Sequence, residues 1–194
     1  MPGDGTGCEG PHAPPTGTGN TDGVDWTQLA TVPLSYAEAG ATAGPLPVGY
    51  HHIRREHAIG AGRAAFDEAA TKLMSWELQR SAGVLVDASE PTAHPGAMVT
   101  VGVGPLNGAC RVVYVVNEPN RRGFAYGTLH GHPESGEEFF GVRFDPTSNT
   151  VYTQVIAFSR PGRWWSKAGS WLGSIVQQRI TNRYLSALSR EGSG

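Results

Sequence analysis

From Tyr50 onward the chain switches between two hydrophobic periods. YHHIRREHAI reads as a strand closed by the glycines of GAG, and RAAFDEAATKLMSWELQR then sets Phe66, Ala69, Ala70, Leu73 and Trp76 at helical spacing. After Gly83 come segments rich in β-formers, VLVDA, AMVTVGV, CRVVYVVNEP, RRGFAYGTL and EEFFGVRFDP, followed by TVYTQVIAFSRP. The separators DASEPTAHPG, PLNGA, NEPNR, HGHPESG and DPTSN carry the Pro, Gly, Asn and Asp of a reversing chain, which predicts sequential antiparallel pairing. From Arg163 to about Arg190 the residues Trp164, Ala168, Trp171, Leu172, Ile175 and Val176 open a three-to-four spacing that runs on to Leu188, the pattern of a long amphipathic helix. Strand, helix, six strands and a long helix is the order of a helix-grip fold. The expected class is therefore α+β, a curved antiparallel sheet of about six to seven strands wrapped around a long C-terminal helix, with room for a cavity between them. An open sheet packed on two helices without a cavity uses the same elements and stays open as an alternative.

The N-terminal residues 1–25 are dominated by Gly, Pro, Thr and Asp and offer no apolar face to offset the entropy of ordering, so they read as a disordered tail. Residues 26–190 then form a single domain, whose first stretch, Trp26 to Gly49, scatters Trp26, Leu29, Leu34 and Tyr36 among prolines and glycines and predicts an irregular wrap with at most one short helix. A hydrophobic fraction of 39% against a charged fraction of 16% suits a folded body. Fifteen basic and seventeen acidic residues, net charge -2, argue against nucleic acid as a partner. No apolar run reaches the roughly 20 residues of a spanning helix, so no membrane insertion is expected. Cys8 and Cys110 read as free thiols, and no secretory signal is visible at the N-terminus, which suggests a cytoplasmic protein. Oligomeric state is not legible.

The segments PLPVGYHHIRREHAIGAG, WELQRSAG, CRVVYVVNEPNRRGFAYGTLHGHPESGEEFF and AFSRPGRWW resemble the uncharacterised bacterial and plant family called domain of unknown function nineteen-ninety. The likeness runs from about Leu34 to Leu188, and GFAYGTL followed by GHPESGEE is its most specific part. The family pattern has a proline where this chain has His130, so a role for His130 is not implied for the family. The resemblance implies a fold and brings no reaction, cofactor or catalytic residue with it. The wider helix-grip class implies only that a hydrophobic small molecule is the partner.

Candidate chemistry concentrates in LHGHPESGEEFF, where His130, His132, Glu134, Glu137 and Glu138 stand beside Tyr126 of the preceding strand. Imidazoles titrate near neutrality and a neighbouring carboxylate orients them, so the cluster can supply an acid and a base. Strand alternation sends Glu138 the way of Phe140, Val142 and Phe144, towards the interior. The catalytic candidates are accordingly His132, Glu138 and Tyr126, and the ligand-binding candidates are His130, Glu137, Phe124, Phe140 and Trp165. The competing reading makes HPESG a solvated turn, with Glu137 and Glu138 paired to Arg121 or Arg122 across the hairpin.

His130, His132 and Glu137 also follow H-x-H-x4-E, the first half of a cupin-like metal motif, but no histidine occurs after His132 to complete it, so no metal and no cofactor is expected. His51, His52, Arg54, Arg55 and His57 read as an outward row on the first strand, and Trp164, Trp165 and Trp171 as core or pocket lining. No nucleophile elbow or phosphate loop is present. Acid-base chemistry on a bound hydrophobic molecule, such as a cyclisation or dehydration, leads. A non-catalytic carrier or sensor and a structural or interaction protein with a filled core are the alternatives.

Overall fold

The computed structural model describes residues 23–81, 83–103 and 106–162. The proposed C-terminal helix with Trp164, Trp165 and Trp171, and most of the proposed tail, lie outside the described residues. The described elements are helix α1 (Trp26–Thr31), a short 3-10 turn (Ala41–Ala43), strand β1 (His51–Ala61), helices α2 (Gly62–Met74) and α3 (Glu77–Ser81), and strands β2 (Leu85–Ala88), β3 (Met98–Val103), β4 (Leu106–Glu118), β5 (Arg121–Thr128), β6 (Glu134–Asp145) and β7 (Thr150–Pro161). The first boundary moves slightly. Asp25 belongs to the fold, because its side chain accepts the Gln28 N–H at 3.0 Å and caps α1.

All seven strands form one antiparallel sheet in the order β1-β7-β6-β5-β4-β3-β2. Consecutive strands from β2 to β7 are neighbours, as the turn-rich separators predict, and β1 returns to pair with β7. This is a curved, open antiparallel sheet, as the turn-rich separators imply. Its inner face carries α2 and α3, with Phe66 and Leu73 of α2 buried against a layer that includes Val112, Phe124, Phe140 and Val155. Burying such side chains contributes roughly 1.5 to 3 kcal/mol each.

The single helix predicted from RAAFDEAATKLMSWELQR is two helices. Trp76 sits in the left-handed region (φ 64), which ends α2, and its fully buried indole packs edge-on against Phe124 at 4.9 Å while Nε1–H donates to Glu90 O. A period count cannot see such a break, because Trp76 stays apolar and inward on either side of it.

The wrap from Leu34 to Tyr50 is a strap across the outer face. Leu34 bridges to Leu129, Tyr36 and Tyr50 both pack edge-on against Phe158, and the carbonyls of Gly44 and Pro47 meet Arg54 and His52 of β1. A bulge between Val112 and Tyr114 on β4 shifts the alternation, so that Val112 stays inside while Tyr114 stacks on Phe139 outside, at 5.9 Å.

Candidate functional site

β6 begins at Glu134, three residues before the strand read from EEFFGVRFDP, so the turn is His130–Pro133 and the carboxylates belong to a strand. Alternation then separates two adjacent acids. Glu138 lies opposite Tyr126 on β5 and Ala157 on β7, both part of the inner layer, whereas Glu137 lies opposite Phe158, on the strap side.

Glu137 is 2% exposed and fully occupied. Tyr36 Oη–H and the Gly40 N–H donate to Oε2, each at 2.7 Å, and the Thr42 N–H (3.0 Å) and Oγ1–H (2.6 Å) donate to Oε1. With its own proton so used, Thr42 Oγ1 accepts from Tyr114 Oη–H at 2.9 Å. Burial and the Glu137 charge drive the Tyr36 phenol well above the usual tyrosine range. Gly127 makes this possible, since a Cβ there would stand 2.1 Å from Tyr36 Oη. Glu137, a ligand-binding candidate, tethers the strap: its oxygens are taken by these four donors, and they face away from Glu138.

Glu138 has the opposite surroundings. Its Oε2 accepts from Tyr126 Oη–H at a long 3.5 Å, and its other oxygen has no donor among the described residues. Burial, reinforced by the charge of Glu134, pushes its pKa up to about 8, with the Tyr126 hydrogen bond opposing. It is thus a neutral carboxylic acid at pH 7, set in a layer with Phe140 and Val112. Rings crowd beside it: Tyr126 lies 5.3 Å from Phe140 and 6.2 Å from Phe124.

Glu134, read from sequence as a turn residue, is the site member that reading missed. It shares the inner face of β6 with Glu138, and Gly136 between them on that face has no side chain to separate the two. Burial raises its pKa and a hydrogen bond to Ser159 partly offsets this. Both carboxyls reach Cys110 electrostatically, where burial first and then their charges drive the thiol far up, so Cys110 is an inert neighbour. The signal available in the sequence was the even spacing of Glu134, Gly136 and Glu138.

His132 and Glu138, both catalytic candidates, have different partners. The charge neighbour of Glu138 is Glu134, while His132 Nδ1 lies 3.0 Å from both the N–H and the carbonyl oxygen of Glu134 and is occupied by that backbone in either tautomer. The ring rests on Gly108, where a Cβ would stand 2.0 Å from it, and burial lowers its pKa to about 4, so it is neutral at pH 7. His130 is exposed at the turn, its N–H donating to Pro33 O. His130, His132 and Glu137 are not brought together as metal ligands, because Glu137 is on the outer face. Phe124 and Phe140 are buried in the inner layer beside Tyr126, and Trp165 lies outside the described residues. On β1, Ile53 enters the core while His51, His52, Arg54, Arg55 and His57 are exposed.

Residues 35–187 match the sequence profile described as domain of unknown function (DUF1990). A UPF0548 protein of Deinococcus radiodurans is 32% identical over 179 residues, covering 80% of this chain and 86% of its own length. One from Arabidopsis thaliana is 28% identical over 120 residues, covering 57% of this chain and 58% of its own. Among solved structures, a hypothetical protein of Helicobacter pylori superposes with TM-score 0.59 at 8% identity, over 73% of this chain and 88% of that one, a likeness of fold alone. Extensive profile match and sequence identity agree: the chain belongs to the DUF1990 family of proteins of unknown function.

Proposed function

We propose that the inner face of the sheet binds a hydrophobic small molecule, with the polar group of that molecule lying at the end that holds Glu138, Tyr126 and Glu134. The observation that carries this reading is Glu138 itself. A carboxyl planted among Phe140, Val112 and Tyr126, with one long hydrogen bond, is costly to the fold and is the kind of group retained for a binding partner. Aromatic rings on the same face offer apolar contact for the body of the ligand.

A second reading, proton transfer to or from the bound molecule, is favoured by the titration of Glu138 near neutrality, which matches a general acid to its working pH. In that reading Glu138 gives the proton and Tyr126 holds the developing charge by hydrogen bonding. His132, neutral and held by backbone, positions the turn instead of exchanging protons.

Native mass spectrometry of the purified protein, before and after denaturation, tests the binding reading. A small molecule released intact from wild type and absent from Glu138→Gln supports it. A protein that carries nothing and fails to take up apolar fluorescent probes refutes it. Recovery of a molecule chemically altered on incubation would establish the second reading.

A further inference from the structure

Helices α2 and α3 are held to the inner layer unequally. α2 buries Phe66, Ala69, Ala70 and Leu73. In α3 the residues Glu77, Arg80 and Ser81 are exposed, so the core receives one apolar side chain from it, Leu78. Its other buried residue is Gln79, 3% exposed, whose amide nitrogen and oxygen both lack a hydrogen-bond partner among the described residues. An enclosed amide without partners has given up its bonds to water and gained none, so Gln79 favours any state in which α3 is off the core.

Trp76, between the two helices, pulls the same way. Its left-handed backbone (φ 64) is a conformation that a bulky residue rarely adopts. The indole is fully buried, packs on Phe124 and is anchored to Glu90 O, so the ring stays with α2 and the sheet while the strained backbone lies where α3 departs. Opposing these are Leu78 and a few bonds. The Arg80 N–H donates to Trp76 O at 3.2 Å, the Val84 N–H donates to Gln79 O at 3.1 Å, and the exposed Arg80 guanidinium reaches back across the bend to Ser75 O at 3.1 Å.

Resting on the binding reading above, we propose that α3 is a hinged lid on the inner layer, turning about Trp76 and admitting the hydrophobic molecule beside Phe124. Opening exposes one leucine, hydrates the Gln79 amide and lets the Trp76 backbone leave the left-handed region. The side chains of α2 and the sheet stay in place.

Hydrogen exchange of the full chain, followed by NMR across low urea concentrations, tests the hinge. The Arg80 and Val84 amides should exchange through an opening that urea barely accelerates, because little surface is exposed, while amides in the body of α2 follow the steep urea dependence of global unfolding. Gln79→Met, which removes the unpartnered amide and keeps an unbranched side chain, should slow exchange at Arg80 and Val84 about tenfold, and Arg80→Ala, which removes the latch on Ser75, should speed it. Stopped-flow uptake of the neutral fluorophore phenylnaphthylamine reads the use of the opening. Its association rate should fall in Gln79→Met and rise in Arg80→Ala. One common urea dependence for the α2 and α3 amides overturns the lid. An α3 that opens separately while the probe enters all three proteins at one rate overturns its role as an entrance and leaves the binding reading intact. A probe taken up by none of them overturns the binding reading and the entrance with it.

Discussion

Replacing Glu138 by Gln should stabilise the protein, and by an amount that depends on pH. The native carboxyl titrates at about 8, against 4.5 for the free group, so folding raises its pKa. Below about pH 4.5 native and unfolded chains both hold the proton and the group adds no pH dependence. As pH rises through the interval up to 8 the unfolded chain ionises first, and native stability falls by about 1.4 kcal/mol per pH unit. At pH 7 the full linkage is about 3 kcal/mol, and about 2 kcal/mol after allowing for the solvent that reaches a half-buried side chain. Gln keeps the shape and cannot ionise. Thermal and urea unfolding of wild type and variant at pH 5, 7 and 8.5 should therefore give nearly equal stabilities at pH 5 and a variant more stable by about 4 to 8 °C at pH 7. Some slope remains in the variant, because burial raises Glu134 as well. A difference that stays constant across this range would refute the argument, since it would mean that Glu138 is ionised and solvated in the native state.

Glu137→Gln, which leaves donors facing an amide NH2 in place of a carboxylate with four hydrogen bonds, should cost about 3 kcal/mol in urea unfolding. Gly127→Ala drives a Cβ to 2.1 Å from Tyr36 Oη and should lower stability by about 1 to 3 kcal/mol, an effect that Tyr36→Phe in the same chain should partly relieve in a melting experiment. The His132 ring, with a pKa near 4, should show no NMR titration between pH 8 and pH 5, whereas a midpoint near 6.5 would mean that the ring is solvated.

Much of the sheet was readable because each strand is bounded by turn chemistry and alternates in period two: TVYTQVIAFSRP corresponds residue for residue to β7. Legibility failed where two faces of one strand are both buried. Along β6, Ser135, Glu137 and Phe139 are covered on the strap side while Phe140 and Val142 are covered by helices, so polarity no longer marks a solvent side and the strand begins three residues before EEFFGVRFDP. Alternation did send Glu138 inward and, applied to its neighbour, would have sent Glu137 outward. The identity of the Glu137 donors was beyond reach, since Tyr36, Gly40 and Thr42 stand about a hundred residues away in a stretch without periodicity. GFAYGTL, the most specific run in the chain, has a partial physical account: Gly127 vacates the space that Tyr36 fills, and Phe124 and Tyr126 face the inner layer.

The adjacency of Glu137 and Glu138 also bears on how the chain finds its pairing. A slip of β6 by one residue against β5 and β7 would exchange the two acids, turning the saturated one into the apolar layer and offering Glu138 to the strap donors in the wrong frame. Because Glu137 gathers four donors spaced over Tyr36, Gly40 and Thr42, the misaligned sheet forfeits all of them together. The strap thus works as a gauge of register: its donors match the hairpin in one frame, and that frame alone gains their bonds.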